Sequence, residues 1–200
     1  MEDYILEIKN ALPGSLCREI IKRFEMDNRK YPGVTGSGVM DIKKSTDLVI
    51  SGLVEWDDIH KELGMSLNYN YSKYYIPRII NLHDDTNWWG DYQKERTLDI
   101  NGSSGFQIQC TKKGEYYGWH DDSFENRRLT YIFYLNTMEE EDGGVTEFYN
   151  GKIIKPEQGK LLIFPATWTY PHRGTEVTGK NKYIITGWFA HVDPYKLKKY

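Results

Sequence analysis

The sequence predicts a mainly β fold braced by helices at its front, of the sandwich or small-barrel kind. After Phe106, short strand signals recur with turn residues between them. Before that point the apolar spacing is helical. The aromatic content, 14% with 16 Tyr and 6 Trp, adds residues that favour strands.

The elements follow in order. Pro13-Gly14-Ser15 opens a helix to about Met26, with a cap residue at its start and Leu16, Ile20, Ile21 and Phe24 as its apolar stripe. The Gly-rich segment 32–38 is a loop. Asp47 to Ser51 is a short strand. A second helix is expected from about Glu55 to Ile76: Ile59, Leu63 and Leu67 repeat at four-residue steps, Tyr71 and Tyr74 extend the face, and Pro77 closes it. Segment 83–105 lacks periodicity and reads as a long loop, either a functional lid or a surface connector. Strands are then expected at 106–110, 129–136, 145–149, 152–154, 161–164 and 182–189, with Asn150-Gly151 as a hairpin turn.

At 200 residues the chain fits one domain, 1–200, with a sizeable core. A net charge of -3 and no long basic block argue against a broad grip on nucleic acid. No apolar run approaches a membrane span and no signal-peptide core is present. Cys17 and Cys110 form no CxxC or disulfide framework, so the expectation is a reducing cytoplasm.

The stretch Tyr117-Gly-Trp-His120-Asp121-Asp122 carries the chemistry. On a strand, His120 and Asp122 share a face and Asp121 points away. A second histidine from a distant strand would complete two imidazoles and a carboxylate on one side of a metal, the arrangement of non-haem Fe(II) oxygenases. His172 is the candidate. His60, His83 and His191 carry no ligand role in this reading. Lys182 is a cation for the far carboxylate of an organic-acid cosubstrate, with Lys180 as the alternative. Thr146 and Tyr134 could add hydroxyls. Tyr116, Tyr117, Trp119, Trp168, Tyr170 and Trp188 are core residues of a sheet or a pocket wall.

Four blocks then occur in order: Tyr117-x-x-His120-x-Asp122; Arg127-x-x-Thr130 leading to Tyr134-Leu-Asn136; Gly143-Gly144-Val-Thr146-Glu-Phe148; and Pro156-x-x-Gly159 leading to Phe164-Pro165, His172 and Val177-x-Gly179. Lys182 and Trp188 follow. Across 106–190 this resembles the 2-oxoglutarate and Fe(II)-dependent oxygenases of the prolyl 4-hydroxylase type. The resemblance implies a double-stranded β-helix, or jelly roll, in 106–192, with 1–105 as helical support and lid. It implies Fe(II) on His120, Asp122 and His172; 2-oxoglutarate on Lys182, with Tyr134 and Thr146 assisting; O2 as oxidant; and ascorbate as a supporting reductant. Tyr117, Arg127 and Trp188 match positions that flank a substrate proline, so the expected partner is a peptide or protein. The sequence departs from the family at Thr111, where many members place a Tyr near the cosubstrate. It departs again at Asp121, an extra carboxylate.

A hydroxylase of a free amino acid or other small molecule is the runner-up. Nucleic-acid demethylases of the AlkB type share the ligand set but hold the cosubstrate with Arg. A non-catalytic jelly-roll module would have no need of the complete set.

Overall fold

A computed structural model of the chain describes residues 4–35, 38, 41–82, 102–124 and 126–190. In chain order these form β1 (Leu6–Ile8), α1 (Gly14–Met26), β2 (Tyr31–Pro32), β3 (Thr46–Val49), α2 (Asp57–Asn70), α3 (Ile76–Leu82), β4 (Gly102–Ser103), β5 (Gln107–Thr111), β6 (Tyr117–His120), β7 (Arg127–Tyr134), β8 (Thr146–Phe148), β9 (Ile153–Ile154), β10 (Leu161–Pro165), β11 (His172–Gly174) and β12 (Lys182–Ala190). The segment 83–101, most of the expected lid, lies outside the described residues, as do His83 and His191.

The strands make two antiparallel sheets. The major one runs β1-β10-β7-β12-β5-β3-β2, with β4 also on β12; the minor one runs β6-β11-β8-β9. Both faces of the major sheet are covered, which is why β7 and β10 read as continuous apolar runs instead of alternating ones. One face packs on the helices: Cys17, Ile20 and Phe24 of α1 and Ile59, Leu63 and Leu67 of α2 meet Ile108, Phe133, Leu161 and Ile185. The other face meets the minor sheet, where Ile132, Tyr134, Leu162 and Phe164 pack with Phe148 and Ile154. This is a jelly roll.

Two expectations about the helices need correction. α1 has no side-chain cap: its N-cap is Pro13, whose ring fixes φ at -62° and starts the helix without a hydroxyl. Pro77 does not close the second helix. A five-residue π turn, Tyr71–Tyr75, follows α2, and Pro77 becomes the second residue of α3, where a missing N–H is tolerated. The π turn also shifts the face, so Tyr75 is buried where Tyr74 was expected.

Segment 41–44 closes the flank between the sheets. Gly118 N donates to Ile42 O at 2.6 Å and Lys44 N donates to Tyr116 O at 2.8 Å. Lys43 then turns inward and its Nζ meets Asp47 Oδ2 at 2.6 Å, both groups buried. Burial pushes the Asp47 carboxyl up, and Lys43 and Ser45 oppose the shift. Asp47→Ala would strand the Lys43 ammonium. The expected loss is about 3–5 kcal/mol, read from urea unfolding midpoints. An unchanged midpoint would mean that Lys43 finds water.

Candidate active site

Three strand ends bring the site together. β6 ends at His120, and β11 begins at His172, its direct cross-strand partner. Phe148 on β8 lies on the other side of His172, and Phe164 packs edge-on to the His172 ring at 4.8 Å, so the ring is held in place by packing. Asp122 is not on the strand. It lies two residues beyond the end of β6, so strand period is not what places it on the face of His120. What turns it inward is a hydrogen bond: Thr130 Oγ1 on β7 donates to Asp122 Oδ2 at 2.7 Å. Asp121 faces solvent, its carboxylate accepting from Ser123 N and Ser123 Oγ.

One ligand atom from each of His120, Asp122 and His172 lies within 4.8 Å of the others. His120 Nδ1 pairs with Gly118 O at 2.8 Å and His172 Nδ1 with Tyr170 O at 3.1 Å. Each ring is thereby committed to carry its proton on Nδ1, leaving the Nε2 lone pair facing Asp122. Tyr117 stacks flat on His120, centroids 3.6 Å apart. Burial, then the neighbouring His172, pushes His120 down to about 4, so it is a neutral donor at pH 7. Burial would raise Asp122, but the two imidazoles and the Thr130 hydroxyl outweigh it and hold the carboxylate lowered. Two neutral nitrogens and one carboxylate on one side of an open cavity fit Fe(II). Thr130→Val is expected to weaken Fe(II) binding roughly tenfold to a hundredfold in an anaerobic titration. Unchanged affinity would show that Asp122 needs no anchor.

The cavity, 810 Å³, runs from these ligands to Lys182. Lys182 is 5% exposed, and among the described residues no carboxylate or hydrogen-bond acceptor pairs with it. Burial alone pushes its ammonium down to about 8. A buried cation without a counter-ion costs free energy that a bound anion would return. Beside it, Tyr134 Oη donates to Thr146 Oγ1 at 2.8 Å, both buried. The Gly143-Gly144 pair makes room. Both residues have positive φ, and a Cβ on Gly144 would come 3.2 Å from Lys182 Cδ. The competing cations are engaged elsewhere: Lys180 with Asp142 at 2.9 Å and Arg173 with Glu147 at 2.6 Å. An ammonium with no counter-ion among the described residues, beside two hydroxyls, fits the distal carboxylate of 2-oxoglutarate.

At the other end, the Arg127 guanidinium lies over the Trp188 ring at 3.5 Å, and both residues line the cavity with Tyr117. Trp188 Nε1 is buried and makes no hydrogen bond by geometry, though it lies close enough to favour the ionised Asp122. The aromatic reading is thereby narrowed. Trp119 and Trp168 are 41% and 74% exposed, and neither lines the cavity. Phe124, which no motif singles out, does.

Residues 106–190 match the family model described as the 2OG-Fe(II) oxygenase superfamily. No curated protein matches the chain in sequence. Among solved structures, a prolyl hydroxylase from Trichoplax adhaerens, in complex with a hypoxia inducible factor oxygen degradation domain peptide, is similar at TM-score 0.73. It shares 18% identity over 99% of this chain and 88% of that one. A Pseudomonas putida prolyl-4-hydroxylase is similar at 0.66, with 18% identity over 96% and 94%. The viral collagen prolyl hydroxylase of Paramecium Bursaria Chlorella virus-1, a complex with 2OG, is similar at 0.63, with 21% identity over 95% and 97%. The family-model match covers 85 of the 200 residues, 106–190, the part of the chain that carries His120, Asp122, His172 and Lys182.

Proposed function

We propose that the chain is a 2-oxoglutarate- and Fe(II)-dependent dioxygenase that hydroxylates prolyl residues of a peptide or protein, in one domain spanning 1–200. The observation that carries this reading is the pairing of the His120, Asp122 and His172 cluster with buried Lys182, which has no counter-ion among the described residues, in one cavity. When bound, Fe(II) with 2-oxoglutarate and O2 supplies oxidative decarboxylation to succinate and CO2 and places one oxygen atom in a C–H bond. His120, Asp122 and His172 hold the metal. Lys182 pairs with the distal carboxylate of 2-oxoglutarate, and the Thr146 and Tyr134 hydroxyls fix its orientation. Tyr117, Arg127 and Trp188 form a flat wall for the ring to be oxidised.

The prolyl assignment is supported by that wall and by the solved structures of similar fold, each named a prolyl hydroxylase. Among the described residues no helix is long and apolar enough to cross a membrane. Cys17 and Cys110 are both free, which supports a cytoplasmic setting.

The test is mass spectrometry on reactions with Fe(II), 2-oxoglutarate, ascorbate and a panel of proline-containing peptides, with free proline alongside. A one-oxygen gain on a peptide proline is expected. A gain on free proline alone would replace the peptide reading with the small-molecule one.

A further inference from the structure

The two faces of β5 differ in kind. Ile108 and Cys110 turn into the helix-facing core, while Gln107, Gln109 and Thr111 line the cavity. An amide buried in a sheet covered on both faces costs free energy unless its groups are bonded. Gln109 is 7% exposed. Its Nε2 donates to Gln107 Oε1 at 2.9 Å, and Gln107 Nε2 donates to the Tyr31 hydroxyl at 3.1 Å. The row starts at the Tyr31 hydroxyl. At its other end the Gln109 carbonyl oxygen has no donor among the described residues, and the second Nε2 hydrogen has no acceptor.

Strand register places this open amide edge. Thr111 lies opposite Lys182, Gln109 opposite Ile184 and Gln107 opposite Thr186. The two amides therefore sit one strand, about 4.8 Å, to the side of the line from Lys182 to Trp188. They are displaced about 7 and about 14 Å from the Lys182 row toward the Trp188 end. A five-carbon diacid held at Lys182 spans roughly half the longer distance, so it does not reach Gln107. Gln109 stands level with its far end, one strand to the side.

A neutral amide matches a neutral partner. A carboxylate or ammonium would lose its water there without gaining an opposite charge. A main-chain peptide group presents one donor and one acceptor, as the free edge of Gln109 does. We propose that Gln109, held in orientation by Gln107, is a specificity-determining residue that binds a main-chain peptide group of an extended polypeptide beside the oxidised residue. This rests on the prolyl-peptide reading and narrows it, because the amide row offers a free amino acid no countercharge.

The experiment is a double-mutant cycle between enzyme and substrate. The substrate is acetyl-Gly-Ala-Pro-Gly-Ala-amide and a series in which each main-chain N–H around the proline is replaced in turn by an ester oxygen. The enzyme is wild type and Gln109→Met, an apolar side chain of similar length. The wild-type enzyme should show a roughly tenfold rise in KM for one ester position, the loss expected for a buried hydrogen bond. Gln109→Met should show that rise with the parent peptide and no further rise with the ester. Circular dichroism establishes that the variant is folded; if it is not, the ester scan on wild type alone reads the same contact. Ester and side-chain effects that simply add, or an ester series with no sensitive position, would overturn the inference. A variant whose KM changes for 2-oxoglutarate and not for peptide would overturn it too. A parent peptide left unoxidised while free proline gains oxygen would instead defeat the prolyl-peptide reading itself.

Discussion

Asp122→Ala is expected to abolish oxygenation and to weaken Fe(II) binding more than about a hundredfold, beyond the loss typical of an outer partner. The carboxylate is the one anionic donor of the set, and both imidazoles are committed to present Nε2 toward it. Without it two neutral nitrogens remain, and neutral donors alone hold a dication poorly. The variant should still fold. Asp122 lies outside both apolar cores, and the direct cost is the Thr130 hydroxyl left without its acceptor, about 1–3 kcal/mol. Asp121→Ala is the paired control. Among the described residues its side chain hydrogen-bonds Ser123 alone, so metal binding should stay near wild type. Metal loss in the Asp121 variant with retention in the Asp122 variant would reverse the assignment.

Lys182→Ala is expected to raise the KM for 2-oxoglutarate by roughly a hundredfold or more, the range for removing one partner of a buried charge pair. Lys180→Ala and Arg173→Ala should not, because both cations are already paired away from the cavity. The wild-type enzyme carries a pH signature of the same contact. Burial lowers Lys182 from 10.5 to about 8, so the free site loses its cation as pH rises through about 8. The KM for 2-oxoglutarate should therefore climb above that pH, and the alanine variant should lack the climb. Fold stability should move the opposite way. A lysine depressed in the folded state destabilises it below the folded pKa, by about 3 kcal/mol for this shift. That penalty fades between about pH 8 and 10.5. A KM flat across this range would mean that another group supplies the cation.

Much of the site was legible because it is written in local spacing and block order. His120, Asp122, His172, Lys182, Tyr134 and Thr146 meet in or beside one cavity, as the sequence suggested. The strands were legible because alternation and turn residues are local signals, as in Asn150-Gly151, where Gly151 takes φ 87°. What the sequence concealed depends on distant partners. Asp122 is aimed by Thr130, eight residues away, and not by strand period. The helical path passes Pro77 because a π turn resets its register. Trp119 and Trp168 look like pocket residues beside His120 and His172, yet their backbone positions turn them outward. The Lys43–Asp47 pair follows no periodic signal, and Gln107 and Gln109 share a face by strand period, but that this face meets the cavity is set by which strands become neighbours.

The decisive reaction is that of the enzyme with a proline-containing peptide under ¹⁸O₂, followed by mass spectrometry of both products. One labelled oxygen is expected on the peptide proline and one in succinate, both absent with Asp122→Ala. Succinate formed without label in any peptide proline would contradict the prolyl assignment, and no succinate above that of the variant would contradict the oxygenase itself.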